Sequence, residues 1–194
     1  MANWASYHIS DFILFSEAVY YKQFELYNQA IWPMQLVAIV FALSVLYAIY
    51  KRPAWAGRLI AGVLVVSWLW VAAVFMYRWF YQIHVVANGY ALGFILQAGL
   101  IFWYGLIKNR FNQRLKNRFG MALVSGFLLV AILLYPFIAW LSGRSWLQFE
   151  MFALAPDPTV LATITILLLT KAPGVLYFIP ALWVLISAVT IYAV

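Results

Sequence analysis

The sequence predicts an all-α, polytopic membrane protein with six transmembrane helices, an N-terminal interfacial helix and a parallel internal repeat. The first observation is composition: the 194 residues are 68% hydrophobic and only 9% charged, whereas soluble domains are about 45–50% apolar and about 25% charged. A soluble chain of this length cannot bury such an excess. The second observation is that the apolar residues form runs near the length of about 20 residues that a spanning helix requires.

The composition also excludes several classes of function. The apolar excess excludes a soluble enzyme, a disordered segment and a nucleic-acid-binding module, although the formal net charge is +7. The basic residues lie between the apolar runs, which is the pattern of membrane topology. Cysteine is absent from the sequence, which excludes disulfides and thiolate metal sites. Histidine pairs at helical spacing are absent too, so no haem site is expected.

Six apolar runs define the predicted spans. The loops between them are too short to fold as separate domains, so residues 1–194 are expected to form one transmembrane domain. Residues 1–30 come before the spans, and their amphipathic part is too charged to cross a bilayer, so it is expected to lie in the outer interface. The spans run over Pro33–Tyr50, Leu59–Tyr77, Gly89–Ile107, Phe119–Leu141, Pro158–Thr170 and Val175–Val194.

The charges predict the orientation of the chain. Nine of the 12 basic residues lie in the loops after the first, third and fifth spans, on one side of the bilayer. The positive-inside rule places that side in the cytoplasm, so both termini are expected in the periplasm of a bacterial inner membrane. All five acidic residues fall on the opposite side. The nine are Lys51, Arg52, Arg58, Lys108, Arg110, Arg114, Lys116, Arg118 and Lys171.

The basic loop at residues 108–118 is accordingly expected to face the cytoplasm. Its simplest role is to set the topology and to contact anionic lipid headgroups, at about 1 kcal/mol per cation. The alternative role is a docking site for a partner or an anionic ligand.

An internal repeat relates two parts of the chain, about residues 20–77 and 145–194. Each copy has a Gln-Phe-Glu tripeptide followed at the same distance by a proline that starts a span. The copies begin four spans apart and therefore enter the membrane in the same direction, as parallel repeats related by an axis along the membrane normal. The matched residues are Gln23, Glu25 and Pro33 in the first copy and Gln148, Glu150 and Pro158 in the second.

The repeat predicts a pair of carboxylates, Glu25 and Glu150, at the same depth on the outer side. Carboxylates within or near the membrane are costly, and they are often functional for that reason. The alternative is that each glutamate only pairs locally, Glu25 with Lys22 and Glu150 with Arg144.

The fifth span is short, because its 13 residues extend only ~20 Å, less than the ~30 Å hydrocarbon core. Residues 142–157 are therefore expected to dip toward the membrane. Asp157 is predicted to be the N-cap of this helix, with a cation ligand as its alternative role. Thr159, Thr163 and Thr170 share one face of the helix, where their hydroxyls either line a polar pathway or bond back to the preceding turn.

Three further features are candidates for packing or binding. His84 lies in the outer loop after the second span, where a histidine is usually solvated and otherwise serves as a ligand or proton carrier. Gly89 and Gly93 form a small-xxx-small pattern that allows close approach of helices. Trp183 and Ser187 lie on one stripe of the last span, comparable to the threonine face.

Three segments of the chain resemble an uncharacterised bacterial family of multi-pass membrane proteins, known only as a domain of unknown function. The resemblance covers nearly the whole chain and implies a six-span protein of the bacterial inner membrane. It implies no activity and no catalytic residue. The segments are Phe24-Glu25-Leu26-Tyr27-Asn28 with Trp32-Pro33, Gly89-Tyr90-Ala91-Leu92-Gly93-Phe94 with Gln97, and Ala155-Pro156-Asp157-Pro158-Thr159.

These features favour a small membrane transporter or channel, with a cation or proton site near the outer leaflet between the two repeats. Oxygen ligands without sulfur suit hard cations such as Mg²⁺, Ca²⁺ or Mn²⁺. Such a site predicts that the carboxylates converge on one water-filled vestibule. Its candidate residues are Glu25, Glu150 and Asp157, with Gln23, Gln148, Thr159, Thr163 and His84 completing the set.

Two other functions fit the sequence. An accessory or binding subunit would contact another membrane protein, and it would present a large exposed apolar groove or an oligomer contact. A membrane-embedded enzyme acting on a lipid-linked substrate would need at least two acid or base groups near one reacting position. For all three functions, the expected partners are membrane lipids, a further copy of the chain or another membrane protein, and no nucleic acid.

Overall fold

The computed structural model describes residues 15–84, 86–112 and 117–193, and these residues are mostly helical. Within these ranges no strand is present, which confirms the all-α class. The helices are α1 (Glu17–Ala30), α2 (Met34–Lys51), α3 (Ala56–Trp70), α4 (Ala87–Ile101), α5 (Arg118–Leu129), α6 (Pro136–Leu141), α7 (Pro156–Thr170) and α8 (Phe178–Ala193).

Three of these helices continue without interruption as π-helix, in which each N–H bonds five residues back. The extensions are Val71–Trp79 after α3, Phe102–Ile107 after α4 and Val130–Leu134 after α5. Short 3-10 turns occupy Phe80–Gln82, Arg110–Asn112, Trp146–Gln148 and Gly174–Tyr177.

Four helical stretches are long and apolar enough to cross a membrane, which indicates a membrane protein. The predicted fourth and fifth spans correspond to shorter apolar helices, Phe119–Leu134 and Pro156–Thr170, so four rather than six helices of the described chain reach spanning length. In the fourth, Pro136 lacks the N–H that would continue the helix, and α6 starts there as a separate turn. The four stretches are Met34–Lys51, Ala56–Gln82, Ala87–Ile107 and Gly174–Tyr192.

The short helix α7 lies in the centre of the fold. Its 15 residues extend about 22 Å, and 12 of them are buried. A helix that is apolar on all sides is stable only when other elements surround it. The segment that leads into α7 is also buried in protein, because residues 152–155 are at most 4% exposed. Where this segment lies relative to a bilayer stays a prediction.

The small-residue contact between helices differs from the expected one. Gly89 and Gly93 were expected to allow close approach, but a Cβ at either position would have no heavy atom within 4 Å among the described residues. The close approach occurs instead between Gly105 and Ala61, where a Cβ on the glycine would overlap the Cβ of Ala61. Glycine at position 105 therefore permits α3 to pack against the π-helical extension of α4.

Charges separate between the two ends of the helix bundle. Asp157 lies in the first turn of α7, whereas Lys171 follows its last residue. The α1 helix carries Glu17 and Glu25 and packs at the Asp157 end, since Tyr27 bonds to the carbonyl of Leu154. Of the predicted basic loop 108–118, residues 113–116 and the side chain of Arg118 lie outside the described part of the chain.

Candidate functional site

Helix α1 holds the segment before α7 in place at the acidic end of the bundle. The Asn28 amide donates to the carbonyls of Leu147 and Phe149, at 2.9 and 2.8 Å. The Tyr27 hydroxyl donates to the carbonyl of Leu154 at 2.7 Å and accepts from the indole of Trp70 at 2.9 Å. These bonds satisfy backbone carbonyls that have no partner within a helix or strand. Because Glu150 lies between Phe149 and Leu154 in the chain, the bonds also restrict its position.

A buried pair of opposite charges forms the centre of this region. Nη1 of Arg144 lies 3.7 Å from Oε1 of Glu150, and the two side chains are only 13% and 8% exposed. The guanidinium also lies over the ring of Tyr21, 4.2 Å from its centroid, as a cation–π contact. Burial raises the pKa of the Glu150 carboxyl above its ordinary value; the nearby Asp157 adds to the rise, and Arg144 opposes it.

Several polar atoms of this region have no hydrogen-bond partner. Oε2 of Glu150 and both Nε and Nη1 of Arg144 are buried without one. Gln23 lies on the buried face of α1, and its amide nitrogen and oxygen also have no hydrogen-bond partner. An unpaired buried polar group costs about 1–3 kcal/mol. Water or a small polar ligand would satisfy these groups. We refer to Arg144 and Glu150, whose charged groups lie 3.7 Å apart, as the outer polar cluster, after the side of the membrane on which the sequence predicts them.

Glu25, the other glutamate of the predicted repeat, has a different environment. Glu25 pairs with Lys22 at 2.7 Å on the surface of α1, one turn away along the helix. This is the local pairing given above as the alternative for that residue. The matched tripeptides also differ in backbone conformation: residues 23–25 are helical, whereas Gln148 ends a 3-10 turn and Phe149 is extended. Gln148 accepts a bond from the backbone N–H of Ser145, within a capping box.

Asp157 fastens two helices together. Its carboxylate accepts the indole N–H of Trp183 and the hydroxyl of Ser187, both at 2.7 Å. The prediction that Asp157 is the N-cap of its helix was wrong, because Ala155 is the N-cap and α7 begins at Pro156. Proline suits the first helical position, since its missing N–H would have no partner there.

The threonines of α7 bond to the preceding turn. The Thr159 hydroxyl donates to the carbonyl of Ala155 at 2.7 Å and accepts from the N–H of Ala153 at 3.0 Å. The Thr163 hydroxyl donates to the carbonyl of Thr159 at 2.7 Å and accepts from the indole of Trp68 at 2.9 Å. Both hydroxyls therefore bond back to the preceding turn of the helix, which is the alternative to a polar pathway that the sequence analysis gave.

His84 lies apart from the carboxylates, among aromatic rings. Its ring centroid is 5.5–5.8 Å from those of Phe15, Phe80 and Tyr90. Burial lowers the pKa of the imidazole, so the neutral form is favoured. Nδ1 is buried without a hydrogen-bond partner.

The predicted site residues thus separate into distinct environments. Within the described ranges, no three His, Asp or Glu side chains come close enough to hold a metal ion. Glu150 and Gln23 retain unpaired polar atoms. Glu25 and Thr159 have partners nearby in the chain, and Asp157 and Thr163 also bond to side chains of other helices. Sequence reasoning paired Arg144 with Glu150, but it missed Tyr21, whose ring supports the guanidinium. No local pattern indicates that contact, because Tyr21 and Arg144 lie in distant parts of the chain.

Fold and site together define an all-helical protein of the membrane type, with a buried polar cluster at one end. The chain belongs to the family of unknown function DUF6064, whose sequence profile matches residues 17–194. This confirms the resemblance to a family without an assigned function. No curated protein and no solved structure gives a significant match.

Proposed function

We propose that this protein is a small membrane transporter with a proton site at the outer polar cluster. The observation that carries the proposal is Glu150: the residue is 7% exposed, and one of its carboxylate oxygens has no hydrogen-bond partner. A buried ionisable group that costs stability and lacks a full set of bonds is a candidate for function.

The neighbours of Glu150 favour a proton over a metal cation. The Arg144 guanidinium is 3.7 Å away and would repel a bound cation. A hard cation requires about six oxygen ligands, and no cluster of three acidic or histidine side chains is found in the described chain. A carboxyl with a raised pKa, by contrast, exchanges protons near neutral pH.

The proposal includes the arrangement of the chain in a bacterial inner membrane. Six spans with both termini in the periplasm would place the outer polar cluster at the periplasmic side. This arrangement requires α5, its extension and α6 to serve together as the fourth span, and α7 as a short fifth span. The support is the separation of charge, with acids at one end of α7 and Lys171 at the other.

Proton flux into proteoliposomes tests the proposal. An imposed potassium potential should acidify vesicles that contain the wild-type protein, as reported by an enclosed pH-sensitive dye. Glu150→Gln should abolish the flux. Glu25→Gln is the matched control. It makes the same change at the glutamate that the sequence pairs with Glu150, where the carboxylate is half-buried and bonds to exposed Lys22 at 2.7 Å. It should retain the flux.

Two results would contradict the proposal. One is the absence of flux from wild-type protein that is monodisperse and helical by circular dichroism. The other is an equal loss in both variants, which would assign the effect to general changes in charge.

A further inference from the structure

A groove opens between α2 and α5 at the basic end of the bundle. Its volume is about 990 Å³, at the upper limit of the roughly 300–1,000 Å³ of small-molecule sites. Residues of α3 and α7 also line it, and its walls are mostly aliphatic. The main apolar lining residues are Leu46, Ile49, Ile60, Leu128, Leu129 and Leu169.

Cations without acidic neighbours lie at the mouth of this groove. Arg52 is exposed and lines it, with Nη2 3.5 Å from the sulfur of Met121 across the opening. Lys171 follows Thr170, which is also a lining residue. Neither cation forms an ion pair within the described chain. The acidic residues of the described chain lie at the opposite end of the bundle.

The backbone holds Arg52 at this position. Arg52 ends α2 in the left-handed conformation, with φ 61°, and its N–H bonds to the carbonyl of Ala48 at 3.1 Å. Pro53 follows and prevents the helix from continuing. The backbone of Arg52 is therefore fixed, which restricts the positions that the guanidinium can reach more than a long loop would.

The surfaces on either side of the groove are apolar and exposed. On α2, Val40 and Leu43 are 63% and 56% exposed, and on α5 Leu123 and Phe127 are 54% and 59% exposed. In a membrane protein such faces contact lipid tails. The opening is thus bordered by hydrocarbon along its length and by positive charge at its end.

We propose that this groove binds one anionic phospholipid, with an acyl chain between α2 and α5 and the phosphate at Arg52. Basic pockets between membrane helices recognise anionic headgroups in this way. A guanidinium provides paired N–H donors for a phosphate, and no acidic side chain of the described residues competes for Arg52. The aliphatic walls match an acyl chain better than a peptide, whose backbone would need hydrogen bonds. This site does not depend on transport.

Native mass spectrometry of the full chain in nonionic detergent tests the proposal. The probes are phosphatidylglycerol and phosphatidylcholine with the same acyl chains. The wild-type protein should bind one phosphatidylglycerol saturably and at least about fivefold more tightly than phosphatidylcholine. Arg52→Gln should weaken phosphatidylglycerol about fivefold without weakening phosphatidylcholine, and Arg52→Lys should retain part of the preference.

Two further variants separate the headgroup from the acyl chain. Ala122→Trp places a large side chain in the groove and should reduce binding of both lipids. Arg78→Gln removes an exposed cation at the opposite end and should change neither. Each variant is compared with wild type for monodispersity and helicity before lipid is added.

Three outcomes would overturn the proposal. The first is equal affinity for the two lipids in the wild type. The second is an equal effect of Arg52→Gln and Arg78→Gln, which would indicate general attraction by surface charge. The third is a lipid-free dimer that Ala122→Trp dissociates, which would assign the groove to a second copy of the chain.

Discussion

Trp183 donates its indole N–H to Oδ1 of Asp157 over 2.7 Å, and this bond fastens α8 to the first turn of α7. Ser187 lies four residues after Trp183, on the same face of α8, and its hydroxyl bonds to the other carboxylate oxygen at 2.7 Å. Asp157 is 9% exposed. Both of its oxygens are paired, so the residue acts as a link between two helices.

Asp157→Ala should therefore destabilise the protein by about 2–4 kcal/mol. The change leaves a buried indole N–H and a hydroxyl without their acceptor, and bonds to a charged group are the stronger class. Unfolding by titration of a detergent solution with sodium dodecyl sulfate, followed by circular dichroism, measures the loss.

Two variants act as controls for this prediction. Glu25→Ala removes a half-buried carboxylate whose ion-pair partner, Lys22, is exposed, and it should cost about 1 kcal/mol or less. Trp183→Phe combined with Asp157→Ala should cost less than the sum of the single changes, because both remove the same bond. Additive costs would contradict the link between the two residues.

The sequence made part of this link predictable. The spacing of Trp183 and Ser187 placed both on one stripe of the last helix. Their partner was not predictable, because the choice depends on how α7 and α8 pack against each other. Asp157 instead fitted a local rule for helix N-caps, and Pro156 made a start one residue earlier equally favourable.

The predicted internal repeat illustrates a different limit of sequence reasoning. Gln23 and Gln148 begin identical tripeptides, yet only the first tripeptide is helical. Ser145 caps a 3-10 turn that ends at Gln148, and Asn28 then bonds to two carbonyls of the second segment. Tertiary bonds of this kind override local similarity, so identical residues need not have equivalent environments.

Gly105→Ala should destabilise the contact between α3 and α4, by about 1–3 kcal/mol. The added methyl would overlap the Cβ of Ala61, so the two helices must separate. The cost is measured by the same detergent titration. Adding Ala61→Gly should restore most of the stability, because it removes the methyl group that the new Cβ would overlap.

Gly93→Ala is the matched control for that change. A Cβ there would be free of described neighbours within 4 Å, and alanine favours the helix by about 1 kcal/mol over glycine. The variant should be neutral or slightly stabilised. A loss as large as that of Gly105→Ala would indicate that the expected Gly89–Gly93 face packs against a partner.

The raised pKa of Glu150 predicts a pH dependence of stability. The folded state holds this proton more tightly than the unfolded state, whose carboxyl has its ordinary pKa near 4.5. The stabilising contribution is therefore complete below that value and is lost as the pH rises through the folded-state pKa. Wild-type protein should lose on the order of 1–3 kcal/mol between pH 5 and pH 9.

Glu150→Gln should remove this slope, whatever its effect on absolute stability. Glu25→Gln should keep the slope, since Glu150 is intact in that variant. The midpoint of unfolding is measured at several pH values for all three proteins. An unchanged slope in Glu150→Gln would assign the titration to another group.

The orientation of the chain can be read with single cysteines, because the sequence contains none. Ser142 and Ala54 are both exposed, and they lie at the acidic and basic ends of the bundle. If the basic end faces the cytoplasm, Ser142→Cys should react with a membrane-impermeant maleimide in intact cells, and Ala54→Cys should react only after permeabilisation. Wild-type protein, which has no cysteine, gives the background labelling.

The reverse pattern of labelling would invert the orientation, whereas labelling of both sites in intact cells would contradict a spanning arrangement. The charge separation favours the first result, since cations near the cytoplasmic surface set topology more strongly than acids do.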